Sequence, residues 1–136
     1  MRLLLSSILL LFSLNCSADY LRLNGLSWHD TPGNNAINYG AGYEYTVDDR
    51  WSVMGGWYRN SEYHGSWYGA ARYAFYKDGD WNLGVGIGAV TGYTSYKVVP
   101  VAIPDFCYKY YCFLAAPKVE ATGSNVIGFS VRLPIE

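Results

Sequence analysis

Residues 37–45, with the sequence INYGAGYEY, alternate between two kinds of side chain. One set is apolar or aromatic: Ile37, Tyr39, Ala41, Tyr43 and Tyr45. The other set is small or polar: Asn38, Gly40, Gly42 and Glu44. Successive side chains of a β-strand point to opposite faces, so a period of two indicates a strand. The segment therefore predicts a strand with one apolar face and one polar face.

The same period recurs along the chain, and helical periodicity of apolar residues is absent after the first eighteen residues. Eight runs separated by turn residues are predicted at about 20–29, 36–46, 51–60, 65–76, 81–92, 96–103, 113–121 and 124–133. The Asp-Gly pair at 78–79 is a strong hairpin signal between the fourth and fifth runs. Eight strands of about ten residues are typical of a small membrane barrel.

The predicted faces place two charged side chains, Glu44 and Arg72, in the interior of the barrel. Arg72 lies on the small face of the fourth run, opposite Trp67 and Phe75, as Glu44 does in the second run. An unpaired charge in a narrow interior is costly, so Glu44 and Arg72 are predicted to pair. In the first run, strict alternation puts Arg22 on the same face as Trp28 and on the opposite face from His29. A bulge near Gly25 would bring Arg22 and His29 to the same face.

Strand counting assigns the connections to two rims. The second, fourth and sixth connections share one rim, and the sixth contains Cys107 and Cys112. The odd-numbered connections share the other rim. His29 lies just before the first of them, and Ser61 begins the third. These two side chains are therefore predicted at the same rim. A histidine beside a hydroxyl suggests nucleophile chemistry.

The first eighteen residues predict a secretory signal peptide, with Arg2 before an apolar stretch and small residues at 16–18. A lipidated Cys16 is the alternative. In an exported chain, Cys107 and Cys112 are expected to form a small-loop disulfide. Two free thiols are the competing interpretation, and metal binding is a distant third because no other ligand lies near in sequence.

Composition limits the class of protein. Removing residues 1–18 takes away Arg2 and no acid, so the formal charge moves from −1 to −2, which does not fit a nucleic-acid-binding surface. Aromatic residues make up 18% and charged residues 15%, which suits a lipid-facing exterior. We predict an all-β chain: an eight-stranded antiparallel up-and-down outer-membrane barrel, one domain over residues 19–136. A soluble lipocalin-like barrel is the alternative.

Several segments, in order, resemble those of the PagP family of lipid A palmitoyltransferases, from about residue 26 to residue 136, which is nearly the whole chain after the predicted signal peptide. Residues 27–29 (SWH) resemble the family's Thr-Trp-His, and residues 59–61 (RNS) resemble its Lys-Asp-Ser. Residues 38–42, residues 81–92 and residues 99–104 (VPVAIP) are similar to its glycine-rich and proline-spaced strands. The family's amphipathic helix before the barrel is not expected here.

The resemblance implies roles for individual residues. His29 would be the general base, Ser61 its partner hydroxyl, and Asn60 the orienting residue, where the family has an aspartate. Pro100 and Pro104 would mark lateral access for lipid. Arg72 lies near a small residue at the floor of the family's acyl pocket, so an inward Arg72 would shorten that pocket.

By that resemblance the protein is a monomeric outer-membrane acyltransferase of a Gram-negative bacterium. It would move an acyl chain from phospholipid to lipid A without a metal or other cofactor. Two alternatives stay open: a non-catalytic outer-membrane barrel with a lipid-binding or surface-modifying role, and a soluble periplasmic lipid binder. Taken singly, His29, Asn60 and Ser61 also fit plain rim and turn chemistry.

Overall fold

Eight antiparallel strands close into a barrel. A computed structural model describes residues 19–118 and 124–135. The strands are β1 (Asp19–His29), β2 (Ile37–Thr46), β3 (Trp51–Arg59), β4 (Gly65–Asp78), β5 (Trp81–Thr91), β6 (Val98–Tyr108), β7 (Tyr111–Ala116) and β8 (Val126–Ile135). Each strand pairs with its neighbour in sequence, and β1 pairs with β8 from Asp19↔Ile135 to His29↔Val126. The predicted all-β, up-and-down eight-stranded barrel is confirmed.

The connections lie at two rims, as predicted. The lower rim carries the turns β2–β3, β4–β5 and β6–β7, and the backbone N–H of Lys109 donates to the carbonyl of Asp80 across it. The β4–β5 turn is the predicted hairpin, with Gly79 at a φ of +56° that favours glycine. The upper rim carries the loops after β1, β3, β5 and β7, and there the N–H of Asn35 donates to the carbonyl of Ser61 at 2.8 Å.

The prediction for β6 and β7 was wrong in its boundaries. β6 runs five residues beyond the expected end at 103, and β7 begins at Tyr111 rather than at 113. Cys107 and Cys112 are therefore not in a loop but directly opposite each other in the two strands, where they form a disulfide beside a two-residue turn. The nine-residue segment between the expected strands, residues 104–112, contains enough β-formers to extend both strands.

The barrel is polar inside and apolar outside. The side chains with almost no solvent exposure include Arg72, Glu44, Asn60 and Ser66. Large apolar side chains with at least 60% exposure are Leu26, Trp28, Ile37, Trp67 and Ile87. This distribution is the reverse of a water-soluble protein and confirms the predicted faces of β2 and β4.

The predicted bulge in β1 is present. The pairing register shifts between Asn24 and Leu26 against β2, and between Asn24 and Ser27 against β8. Arg22 before the bulge and His29 after it consequently both line the interior, while Trp28 is exposed.

Three predictions lie outside the described residues: the signal peptide at 1–18 with lipidation of Cys16, the absence of an amphipathic helix before the barrel, and the end of the predicted seventh run at 119–121. Within residues 19–118 and 124–135, no helix is long and apolar enough to cross a membrane.

The disulfide is expected to stabilise the β6–β7 hairpin. It closes a loop with a sequence separation of 5 residues, for which loop-closure entropy gives about 2 kcal/mol of unfolding free energy. A double variant, Cys107→Ser and Cys112→Ser, should lose that amount in urea unfolding of the barrel refolded in vesicles. The wild type with reductant should unfold like the variant; equal midpoints for the oxidised wild type and the variant would contradict the expectation.

Candidate functional site

A buried charge network crosses the barrel interior. Its centre is Glu44, whose carboxylate accepts a hydrogen bond from Arg22 Nε at 2.7 Å, from Arg132 Nη2 at 3.1 Å and from the Ser52 hydroxyl at 2.8 Å. Glu44 is fully buried, so these charge-assisted bonds replace its lost hydration. The register of β1 against β8 explains why two arginines meet at one carboxylate, because Arg22 lies directly opposite Arg132 in the β1–β8 ladder.

The same network includes Arg72, but its partner is not Glu44. Arg72 Nε donates to Asp105 Oδ2 at 2.8 Å, and its Nη2 donates to Asn82 at 2.7 Å. The predicted Glu44–Arg72 pair was therefore wrong, although both side chains point inward as expected. Gly84 makes room for this arrangement, because a Cβ there would lie 2.6 Å from the guanidinium carbon of Arg72.

The network, which we call the charged plug (Arg22, Glu44, Arg72, Asp105 and Arg132), divides the interior. Arg22 and Asp105 line a cavity above it, and Arg72 and Arg132 line a polar cavity below it. Three arginines against two carboxylates give the charged plug a net charge of +1. An apolar group entering from the upper rim therefore meets charge at the plug.

The upper cavity has a volume of about 220 Å³ and mostly apolar walls. Its walls include Met54, Ala70, Val90, Val101, Leu114 and Phe129. Ser27, His29, Asn38, Ser61 and Tyr93 line it at the upper rim. The predicted pair of His29 and Ser61 is thus brought to one cavity, at the opposite end from the charged plug.

The hydrogen bonds of His29 define where its ring proton lies. The Asn38 amide nitrogen donates to the carbonyl of Arg59 at 2.9 Å, so its oxygen accepts from the Ser27 hydroxyl. The Ser27 oxygen can then only accept from His29 Nε2, at 2.9 Å, and the carbonyl of Asn35 also accepts from Nε2, at 3.1 Å. The proton is on Nε2, and Nδ1 has a free lone pair.

Nδ1 of His29 is buried and has no hydrogen-bond partner among the described residues. Its lone pair is therefore not bonded to the Ser61 hydroxyl, and the His29–Ser61 pair shares a cavity without direct contact. An unpaired buried acceptor costs about 1–3 kcal/mol, so a donor that reached this nitrogen would be stabilised there.

Asn35 joins the two rim loops. Its carbonyl accepts from His29, its backbone N–H donates to the carbonyl of Ser61, and its side-chain amide donates to the carbonyl of Asn60 at 3.2 Å. The sequence offered no signal for Asn35, because asparagine is common in loops. Asn38 is different, since its parity with Glu44 already indicated an inward side chain.

Asn60 has a structural role in the β3–β4 loop. Its amide nitrogen donates to Ser66 and to the carbonyl of Gly92, both at 2.9 Å, and its oxygen accepts from the backbone N–H groups of Glu62 and His64. These four bonds use the whole amide. The predicted orienting role toward His29 is therefore filled by Ser27 and Asn35 instead of Asn60.

Asp30, the residue after His29, closes the rim between β1 and β8. Hydrogen bonds from Asn125 and Ser124 lower the pKa of its carboxyl to about 2. The group is thus an anion at neutral pH, and it fixes the start of β8 beside the end of β1.

The barrel wall has few inter-strand pairs beside the upper half of β6. Pro100 and Pro104 lie on β6 with outward side chains, opposite Ala89 and Val85 of β5. The ladder between β6 and β7 covers only Asp105–Tyr108 against Tyr111–Leu114. Within the described part of the chain, the upper half of β6, residues 98–104, is therefore paired on one side, and its two prolines carry no backbone donor.

The sequence matches no protein-family model and has no significant match among curated proteins. The similarity to the PagP family therefore stays a resemblance between segments.

We predict that His29 has its proton on Nε2 whenever the ring is neutral. Ring ¹⁵N shifts of the protein in detergent at pH 8 measure this directly, and His64, whose exposed ring has Nδ1 3.9 Å from a Glu62 carboxylate oxygen, provides a solvent-exposed internal comparison. A His29 spectrum with the proton on Nδ1 would contradict the hydrogen-bond assignment.

Glu44→Gln should strongly destabilise the barrel. It leaves three arginines against one carboxylate in a buried site, and breaking such a pair costs about 3–5 kcal/mol. Urea unfolding in vesicles, followed by Trp fluorescence, measures the loss. Asp49→Asn, at an exposed turn, is the matched control and should change stability by less than about 0.5 kcal/mol. Equal stabilities of the two variants would contradict the central role of Glu44.

Proposed function

We propose that the protein is a PagP-like outer-membrane acyltransferase that moves an acyl chain from a phospholipid to lipid A. The observation that carries the proposal is the unpaired Nδ1 of His29 in the upper end of an apolar cavity. A base at the end of a cavity suited to one hydrocarbon chain is the arrangement that acyl transfer needs.

The exterior supports a membrane location. Trp28, Tyr39 and Trp67 are exposed toward the upper rim, and Trp51, Phe75 and Trp81 are exposed toward the lower rim. Eight residues separate Trp67 from Phe75 on β4, which is about 20 Å along the axis at ~3.4 Å per residue and a tilt of about 40°. Two aromatic girdles at this separation fit the apolar band of an outer-membrane barrel.

The reaction assigns one proton transfer to His29. Nδ1 removes the proton of an acceptor hydroxyl while that oxygen attacks the carbonyl carbon of the donor ester. The bond to the glycerol oxygen breaks, and the proton returns from His29 to that leaving oxygen. Ser27 and Asn35 hold the opposite ring nitrogen, and the Ser61 hydroxyl, which lines the same cavity, would donate to the carbonyl oxygen. No cofactor enters this step.

Lipid would reach the cavity through the upper half of β6. The missing donors at Pro100 and Pro104 weaken the wall where the β6–β7 ladder has ended, and Val101 and Ile103 between them line the cavity. Separating strands costs least where few ladder hydrogen bonds exist.

The charged plug limits the length of the acyl chain. Six residues of β2 separate Asn38 at the upper end from Glu44 in the plug. At ~3.4 Å per residue and a tilt of about 40° this is about 15 Å, room for about ten to twelve extended carbons. A longer chain would have to displace buried ion pairs, so the protein is expected to select medium-length chains.

We predict that expression in a Gram-negative host adds about ten- to twelve-carbon acyl chains to lipid A. His29→Ala should lower the rate by about 100-fold or more, because it removes the base. Mass spectrometry of extracted lipid A measures both the added mass and its chain length.

His64→Ala is the control, since His64 is an exposed loop residue that takes no part in the cavity, and it should act like the wild type. No added acyl mass, or added mass that survives His29→Ala, would overturn the transferase proposal. Addition of sixteen-carbon chains alone would overturn the length limit and leave the transferase standing.

A second candidate is a non-catalytic outer-membrane barrel with a lipid-binding or surface-modifying role. The missing contact between His29 Nδ1 and Ser61 favours it, as does the amide at Asn60 being committed to its own loop. It predicts that any effect on the host surface survives substitution of His29 and of Ser61.

A further inference from the structure

We propose that the floor of the upper cavity is a carboxylate site. The Nη2 group of Arg22 would bind the head of a free, unbranched medium-chain fatty acid that enters head first. This site lies at the opposite end of the cavity from His29, and its ligand does not react there, so it is distinct from the acyl-transfer site.

The unsatisfied donor is the first observation. The Arg22 side chain is 93% buried, and its Nε is bonded to Glu44. Its Nη2 has no hydrogen-bond partner among the described residues, and the Asp105 oxygen, at 3.8 Å, is beyond hydrogen-bond distance. A buried guanidinium N–H without an acceptor is unfavourable, so an acceptor that reaches the floor is stabilised.

The charge balance is the second observation. The charged plug contains Arg22, Arg72 and Arg132 against Glu44 and Asp105, so the net charge of the cluster is +1. Buried charge is costly unless it is paired. A single carboxylate bound at Arg22 would neutralise the plug, and a guanidinium binds this group well because its N–H groups match the two oxygens.

The shape of the cavity selects the rest of the ligand. Above Arg22 the walls are apolar, with Ala70, Val90 and Val101 among them. The volume of about 220 Å³ is below the ~300–1,000 Å³ of sites for drug-sized ligands, so one chain fits and two do not. A saturated chain of about ten carbons with an anionic head satisfies both the walls and the floor.

This orientation is the reverse of the donor chain in acyl transfer. There the carbonyl lies at His29 and the terminal methyl reaches the plug, whereas here the carboxylate lies at the plug. The fatty acid would therefore occupy the cavity without reacting and exclude the donor chain. Its binding does not depend on whether the protein is a transferase.

The first test compares ligands on the wild-type protein in phosphatidylcholine nanodiscs at pH 8, with empty nanodiscs as the reference. Decanoate should bind about tenfold or more tightly than decanol, because only the acid pairs with Arg22. Acetate should bind far more weakly than decanoate, because it lacks the chain. Equal affinities of decanoate and decanol would overturn the proposal.

The second test reads the orientation. Methionine occurs only at positions 1 and 54, and Met54 lies opposite Glu44 in the β2–β3 ladder, at the level of the plug. With ¹³C-methyl methionine, the Met54 methyl should give nuclear Overhauser contacts to the methylene next to the carboxylate of decanoate. Contacts to the terminal methyl instead would mean entry tail first and would overturn the proposal.

The third test uses matched variants. Arg22→Gln and Arg132→Gln each remove one of the two arginines on Glu44, but only Arg22 lines the upper cavity. Arg22→Gln should abolish the preference for decanoate over decanol, and Arg132→Gln should keep it. Loss of the preference in both variants, or in neither, would contradict direct contact with Arg22. If either variant does not fold, the two wild-type tests still decide.

Discussion

The rest of the molecule depends on the buried carboxylate of Glu44. An eight-stranded barrel has an interior only as wide as its side chains, so an inward charge must find partners there or not ionise. Glu44 is held by Arg22 from β1 and Arg132 from β8, the two strands that close the barrel. The same bonds seal the interior at that level and separate an apolar cavity above from a polar one below. The bonds of Glu44 to Arg22 and Arg132 thus both join the first and last strands and set the depth of the upper cavity.

At the upper rim a single extra residue decides which side chains face inward. The bulge after Asn24 reverses the parity of β1, so Arg22 and His29 both line the interior although they are seven positions apart. Asn35 then links the His29 ring to the loop that contains Ser61. The bulge and the bonds of Asn35 together assemble the rim site from elements that are distant in sequence. Because Asn35 makes the link to His29, the Asn60 amide can bond within and beside the β3–β4 loop.

The two ends of the cavity are chemically opposite, and each has a buried nitrogen without a hydrogen-bond partner among the described residues. At the rim it is an acceptor, Nδ1 of His29; at the floor it is a donor, Nη2 of Arg22. A hydrocarbon chain fits the walls in either direction, and the position of its polar group decides which end it uses. The proposed acyl transfer and the proposed fatty-acid binding would therefore compete for one space.

Alternation indicated the strand number, the faces of β2 and β4 and the need for a bulge near Gly25, because a period of two depends only on local geometry. It also put His29 and Ser61 at one rim, since strand counting is topological. Alternation did not predict the boundaries of β6 and β7, because residues 104–112 fit either a loop or two strands. The partner of each interior charge was decided only by the tertiary structure. Which arginine reaches Glu44 depends on register and barrel closure, and those bring together β1, β2 and β8 from opposite ends of the chain.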